Sequence, residues 1–176
     1  MELLDLNNLV KERLDQLQEN SLTLDPDSNV TYRFHPSLSG AYKVRANPHW
    51  LAQAFDGLVG NAIEAMDNSS TKILTIITEV NNKGVDILIS DTGKGISEEV
   101  RRHLFEEPIK KPPGARGAGM GLLLAQTIIQ TFSGEIRVGP TGPSGTTMII
   151  SLPVERQESK EVKEMTLSPQ GDILLM

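Results

Sequence analysis

The chain has 176 residues, of which 38% are hydrophobic and 23% are charged, and these proportions are typical of one folded globular domain. Its net charge of −6 argues against a general nucleic-acid-binding protein, because such a protein uses a basic surface to neutralise phosphates. The chain has no cysteine, which excludes disulfide scaffolds, zinc ribbons and thiol catalysis.

The segment from Met1 to Asp5 lacks the basic start and the apolar run of a signal peptide. The longest apolar stretches are far shorter than the roughly 20 residues of a membrane-spanning helix. We therefore expect a cytoplasmic domain without a membrane segment, either as a separate chain or as the cytosolic part of a membrane-bound protein.

The first part of the chain predicts one helix, two strands and a second helix. Leucines at helical spacing predict a helix over residues 3–19, and alternating segments at 30–35 and 41–45 predict strands. Asn47 followed by Pro48 is typical of an N-cap and a first helical residue, so the second helix should run to about Met66.

The second part predicts a hairpin, an irregular segment, a helix and two more strands. Residues 72–80 and 85–91 are rich in β-formers and are joined by a turn, Asn81 to Gly84. Residues 92–119 are rich in glycine and proline and should be mostly irregular, with Ser97 capping a short helix.

After this segment we expect a helix over 120–132, strands over 135–138 and 146–152, and a loosely held tail beyond Pro153. These elements together predict an α+β fold, a two-layer α/β sandwich in which helices cover one face of a mixed β-sheet.

Asn61 lies at the edge of the apolar side of its predicted helix. A buried amide without a hydrogen-bond partner costs about 1–3 kcal/mol. Two interpretations are open: a hydrogen bond to a neighbouring loop, or an oxygen ligand for Mg²⁺, which prefers such donors.

The segment from Asp91 to Ile96 follows a predicted strand and has glycine at alternate positions. Glycine lets a backbone turn sharply and approach a ligand closely. The segment is either an ordinary turn or a pocket in which the carboxylate accepts a hydrogen bond from an exocyclic amine such as that of adenine.

The segment from Gly117 to Gly121 opens directly into the apolar helix. Free N–H groups at a helix start form an anion site that the helix dipole reinforces. The spacing differs from the dinucleotide-binding pattern, and the lysine of a P-loop is missing. Lys110, Lys111 and Arg116 lie upstream, either as phosphate contacts or as a solvated basic loop.

Taken together, these segments resemble the ATP-binding domains of histidine kinases within the GHKL ATPase group, in order and spacing from about residue 5 to residue 153. Five motifs carry the resemblance: an N box at Leu58–Met66, a first glycine box at Asp91–Ile96, an F box at Phe105 with Pro108, a second glycine box at Gly117–Leu122, and a final Gly-Thr box at Ser144–Thr147.

The resemblance implies ATP and Mg²⁺ as cofactors, with Asn61 as the metal ligand and Asp91 bound to the adenine amine. It implies a lid between Phe105 and Gly117 that is poorly ordered without nucleotide, with Arg116 as its phosphate contact and Thr146 or Thr147 near the base. The ATP-binding residues that it implies are Asn61, Asp91, Gly93, Gly95, Ile96, Arg116, Gly117, Gly119, Met120, Gly121, Leu122, Thr146 and Thr147.

The chain departs from the pattern of the family at two points. Gly57 stands where family members usually have a polar residue, and where the gyrase and chaperone ATPases have a catalytic glutamate. His35, His49 and His103 do not fit the motif of the family's phosphoacceptor histidine. The resemblance therefore leaves the catalytic residues unassigned and implies that the nucleophile lies on another domain or chain.

The implied function is transfer of the ATP γ-phosphate to a histidine on another domain or chain in two-component signalling. Its expected partners are a histidine-containing dimerisation domain and a response regulator, with oligomers forming only if dimerisation helices are supplied. Residues 21–153 would be the catalytic domain and 154–176 a tail, while 1–20 would be a linker helix or part of the fold. The alternatives are a non-catalytic nucleotide-responsive module and an anti-sigma-type protein-serine kinase.

Overall fold

The computed structural model describes residues 1–24, 29–38, 42–108, 113 and 119–156. The amino-terminal half begins with β1 (Glu2–Leu4) and α1 (Leu6–Leu24), followed by β2 (Thr31–Pro36), β3 (Tyr42–Ala46) and α2 (Pro48–Ala65). The predicted start of α2 is confirmed, because Trp50 N donates to the Asn47 side chain at 3.1 Å.

The next elements are β4 (Ile73–Val80), β5 (Gly84–Ser90) and the short helix α3 (Glu98–Arg102). The predicted hairpin between β4 and β5 is confirmed: Asn81 Oδ1 accepts from Lys83 N and Gly84 N, both at 2.7 Å. The predicted cap of α3 is also confirmed, since Val100 N donates to Ser97 Oγ at 3.3 Å.

The carboxyl-terminal half has α4 (Gly121–Thr131), β6 (Glu135–Gly142), β7 (Gly145–Pro153) and β8 (Glu155–Arg156). The main sheet has five strands in the order β2-β4-β5-β7-β6. Only β2 and β4 are parallel among these neighbours. A second, three-stranded sheet has the order β1-β3-β8.

The core lies between the main sheet and the helices α1, α2 and α4. Alternate residues of each strand face the helices, as in the row Ile76, Ile89 and Met148, which are paired across β4, β5 and β7. The fold class predicted from the sequence, a mixed sheet with helices on one face, is confirmed.

Helix α1 is part of this core, because Leu6, Val10 and Leu14 are buried. Its Arg13 also forms a two-pronged ion pair with Asp56 of α2, with 3.0 Å between Arg13 Nε and Asp56 Oδ1. Helix α1 thus packs against the rest of the described fold, while the division of the chain at residue 20 stays a prediction.

The strands β1 and β8 were not predicted. β8 lies inside the segment expected to be a tail, where Glu155 and Arg156 pair with β3 and Glu155 Oε1 lies 2.6 Å from Arg45 Nε. Residues 157–176, the rest of the expected tail, lie outside the described residues. Among the helices that the structure describes, none is both long and apolar enough to cross a membrane.

Candidate functional site

Asp91 is the first residue after β5 and is 9% exposed. Its Oδ1 accepts hydrogen bonds from Gly93 N at 2.7 Å and from Thr146 N at 3.3 Å. Its own N–H donates to the carbonyl oxygen of Thr146 at 2.9 Å. Among the described residues, both side-chain hydrogen bonds reach Oδ1, so the second oxygen, Oδ2, is left to accept from a ligand.

Burial raises the pKa of Asp91 above its ordinary value, while the hydrogen bonds from Gly93 and Thr146 act in the opposite direction. A carboxylate that is buried in this way is a strong acceptor, because nearby water is scarce. The environment therefore suits a neutral donor such as an amine of a bound base.

The loop after Asp91 passes between the end of α2 and the hairpin of β6 and β7. A Cβ at Gly93 would lie 2.6 Å from the Ala65 carbonyl oxygen. Gly95 has a φ of +78°, and a Cβ there would lie 2.1 Å from the Gly142 carbonyl oxygen. Both positions therefore exclude a side chain, which explains the alternate glycines.

Two threonine hydroxyls that are not among the predicted site residues fix the two ends of this loop. Thr92 Oγ1 donates to the Thr71 carbonyl oxygen at 2.6 Å and accepts from Ile73 N at 3.0 Å. Thr141 Oγ1 accepts from Ile96 N at 3.0 Å. Thr92 follows Asp91 directly in the sequence, whereas no local pattern marks Thr141.

The final Gly-Thr motif brings one of its two threonines to Asp91. Thr146 is buried beside the Asp91 carboxylate, whereas Thr147 points to the opposite face of β7. There its Oγ1 lies 2.8 Å from Ser90 Oγ. The structure thus separates two residues that the sequence left as alternatives.

Asn61 lies half-exposed on α2, one turn after Gly57. A Cβ at Gly57 would lie 3.5 Å from the carbonyl oxygen of Gly121, the first residue of α4. Because residues four apart share one face of a helix, Asn61 lies on the side of α2 that approaches the start of α4. Asn61 therefore lies one turn of α2 away from the contact between Gly57 and Gly121.

The second glycine motif is only partly described. Gly119 is buried with a φ of +73°, Met120 is 56% exposed and Gly121 begins α4. The side chain of Leu122 lies in the core, so only its backbone could face a ligand. Arg116 and Gly117 lie outside the described residues, as do Lys110 and Lys111.

The predicted residues thus form two groups. One is the Asp91 pocket, with Gly93, Gly95, Ile96 and Thr146. The other is the meeting point of α2 and α4, with Asn61, Gly119, Met120, Gly121 and Leu122. Among the described residues there is no group of three or more histidines, aspartates or glutamates that could hold a metal ion. The expected disorder of the lid stays a prediction.

Comparison with known proteins gives a consistent result. Residues 46–156 match the family described as histidine kinase-, DNA gyrase B- and HSP90-like ATPases. The chain is 27% identical over 144 residues to the sensor protein EvgS of Escherichia coli O157:H7. It is 32% identical over 150 residues to the adaptive-response sensory kinase SasA of Gloeothece citriformis.

These alignments cover 76% and 84% of the chain but only 12% of EvgS and 36% of SasA. The chain therefore spans about a third or less of these relatives. Among solved structures, the nucleotide-free catalytic domain of the histidine kinase ThkA matches with a TM-score of 0.70 at 25% identity. That match covers 87% of this chain and 98% of the ThkA domain.

Proposed function

The chain belongs to the family of histidine kinase-, DNA gyrase B- and HSP90-like ATPases, and from this premise we propose that it is the ATP-binding catalytic domain of a sensor histidine kinase. In this proposal it transfers the γ-phosphate of Mg-ATP to a histidine on another domain or chain. The observation that carries the proposal is the Asp91 pocket, in which two backbone donors hold one carboxylate oxygen and leave the other for a base.

Adenine fits this pocket better than guanine does. The exocyclic group of adenine is an amine, a hydrogen-bond donor, whereas guanine has a carbonyl acceptor at the equivalent position. The ionised Asp91 carboxylate only accepts. It therefore binds the adenine amine through Oδ2 and repels the guanine oxygen.

The meeting point of α2 and α4 is suited to the phosphates. Gly121 opens α4, and the first N–H groups of a helix are free to donate to an anion. Asn61 lies on the facing side of α2, and the close approach of Gly57 to the Gly121 carbonyl oxygen brings the two helices together there. The triphosphate of a base held by Asp91 would extend toward this point.

The donors at this point fit Mg²⁺. This ion keeps several waters and is usually held by one or two protein oxygens together with substrate phosphates. The Asn61 amide oxygen is of the right type, and the side chain is half-exposed, so it would hold the ion that accompanies the nucleotide. When bound, Mg²⁺ neutralises charge on the β- and γ-phosphates.

In phosphoryl transfer the protein mainly positions the reactants and stabilises charge. The tasks of this chain are accordingly to orient the base through Asp91, to hold the phosphates at the start of α4 and to retain the metal through Asn61. Gly57 offers no side chain that could activate water next to Asn61. The attacking histidine comes from a partner domain, which we propose is a dimerisation domain whose phosphate then passes to a response regulator.

Phosphotransfer to a purified histidine-containing dimerisation domain of a sensor kinase tests the proposal. The chain, γ-labelled ATP and Mg²⁺ are incubated with the acceptor domain and with its histidine-to-glutamine variant. We expect acid-labile, alkali-stable label on the intact acceptor only, and none when Asp91→Ala replaces the wild-type chain. Acid-stable label on serine would favour the protein-serine kinase, and nucleotide binding without transfer to any of several acceptors would favour the regulatory module.

A further inference from the structure

Thr141 of β6 lies outside the five sequence motifs, yet its hydroxyl joins the two segments that surround Asp91. Thr141 Oγ1 accepts from Ile96 N at 3.0 Å and lies 2.8 Å from Thr146 Oγ1. Thr146 N in turn donates to Asp91 Oδ1 at 3.3 Å. One hydroxyl therefore connects Ile96, at the far end of the glycine loop, to β7, the strand whose Thr146 N–H donates to the Asp91 carboxylate.

A β-bulge in β6 turns Thr141 toward the site. Val138 pairs with Met148 and Thr141 pairs with Thr146, so between these pairs two residues of β6 face one residue of β7. Such an insertion shifts the alternation of side chains by one position. In a regular strand Thr141 would lie on the face opposite to Val138, whereas the bulge places it on the same face as Thr146.

The backbones of the loop and the hairpin are also in close contact. A Cβ at Gly95 would lie 2.1 Å from the Gly142 carbonyl oxygen. Ile96 and Thr141 are both half-buried, and the Ile96 N–H donates to the Thr141 hydroxyl. An N–H that loses its partner in such a place is unfavourable, and the loop would move to find another.

We propose that Thr141 is a positioning residue for base recognition: its hydroxyl sets the distance between the glycine loop and the β6–β7 hairpin, and thereby the place of Asp91 Oδ2. This inference rests on the proposed nucleotide-binding function. Thr141 acts through Ile96 and Thr146 and not by contact with the base.

The test compares Thr141→Val, which keeps the shape but removes the hydroxyl, with Thr141→Ser, which keeps the hydroxyl. Affinities for adenylyl imidodiphosphate and guanylyl imidodiphosphate are measured by calorimetry on the full chain with Mg²⁺. The ratio of the two affinities is used because it does not depend on the fraction of active protein in each sample.

For Thr141→Val we expect about a 10-fold loss of affinity for the adenine analogue, the effect of one unsatisfied hydrogen bond at the site. The adenine preference over guanine should fall in parallel. Thr141→Ser should keep both the affinity and the preference within about threefold of wild type, since the hydroxyl is retained. A loss in both variants alike, or an unchanged preference in Thr141→Val, would overturn the inference. No binding by the wild-type chain would instead overturn the proposed function, and the inference with it.

Discussion

The Asp91→Asn substitution exchanges one carboxylate oxygen for an NH₂ group and leaves the size of the side chain unchanged. Gly93 N and Thr146 N both donate to Oδ1, at 2.7 and 3.3 Å. The asparagine must keep its oxygen in that place, because the reverse orientation would set an NH₂ group against two N–H donors. Its NH₂ group then takes the place of Oδ2, where we propose that the adenine amine binds.

In the variant a donor faces the adenine amine, so the hydrogen bond to a charged acceptor is lost. Such a bond contributes about 1.5–3 kcal/mol, which corresponds to roughly a 10- to 150-fold loss of affinity for an ATP analogue. Guanine has an acceptor at this position, so affinity for the GTP analogue should rise. The variant should therefore prefer guanine or discriminate little between the two bases.

The same substitution should stabilise the fold at neutral pH. Burial raises the pKa of Asp91 in the folded state, so the folded chain holds this proton more tightly than the unfolded chain does. The contribution of Asp91 to stability therefore falls as the pH rises from the ordinary pKa of aspartate to the raised folded-state pKa, and stays constant above it. Asparagine does not ionise and avoids this loss.

The assay is calorimetric titration with adenylyl imidodiphosphate and guanylyl imidodiphosphate, together with urea unfolding at several pH values. Asp86→Asn is the matched control, because Asp86 is also buried but is hydrogen-bonded by Asn81, Ser151 and Arg137 on the opposite face of the sheet. The control should keep the wild-type base preference. An Asp91→Asn variant that binds the adenine analogue as tightly as wild type would refute the assignment of Oδ2 as the base contact.

Three further experiments test other parts of the structure. Asn61→Ala should abolish the increase in nucleotide affinity that Mg²⁺ produces and leave Mg²⁺-free binding unchanged, as measured by titration with and without the ion. Gly57→Ala should raise the free energy of unfolding by about 0.5–1 kcal/mol, because glycine is unfavourable inside a helix and the new Cβ would lie at an ordinary 3.5 Å from the Gly121 carbonyl oxygen. A double-mutant cycle that changes Arg13 and Asp56 to alanine should show a coupling energy of about 1 kcal/mol in urea unfolding. This value is near the upper end of the coupling energies of surface ion pairs, because the pair is two-pronged and partly buried.

The opposite result in each of these three experiments would contradict the corresponding expectation. A Mg²⁺ effect that survives Asn61→Ala would remove this residue as the metal ligand. A loss of stability in Gly57→Ala would mean that α2 and α4 pack more tightly than the contact with Gly121 indicates. Additive effects at Arg13 and Asp56 would mean that the ion pair does not hold α1 on the fold.

Local signals in the sequence were sufficient to predict several elements of the fold. Asn47 before Pro48 predicts the start of α2, and the turn at Asn81 to Gly84 predicts the hairpin, because each depends on hydrogen bonds between neighbouring residues. Asp91 could be recognised for the same reason, since its carboxylate accepts from Gly93 N two residues later. The need for glycine at positions 93 and 95, in contrast, comes from contacts with the distant Ala65 and Gly142.

Other features depend on contacts between distant segments. The short strand β8 exists only through pairing with β3, more than a hundred residues earlier, so its own composition carries no signal. Thr146 and Thr147 look alike in sequence, and only the register of β7 decides which one faces Asp91. Thr141 reaches the site through a bulge, which a regular alternation of side chains does not predict.

The most direct test of ATP binding at the Asp91 pocket is calorimetric titration of the wild-type chain with adenylyl imidodiphosphate in the presence and absence of Mg²⁺. We expect saturable binding with a Kd between about 1 μM and 1 mM, the range in which the KM values of most enzymes fall. Binding should be weaker without Mg²⁺ and should be lost in Asp91→Ala. No binding by the folded wild-type chain, or equal binding by Asp91→Ala, would contradict the proposal that this chain binds ATP through Asp91.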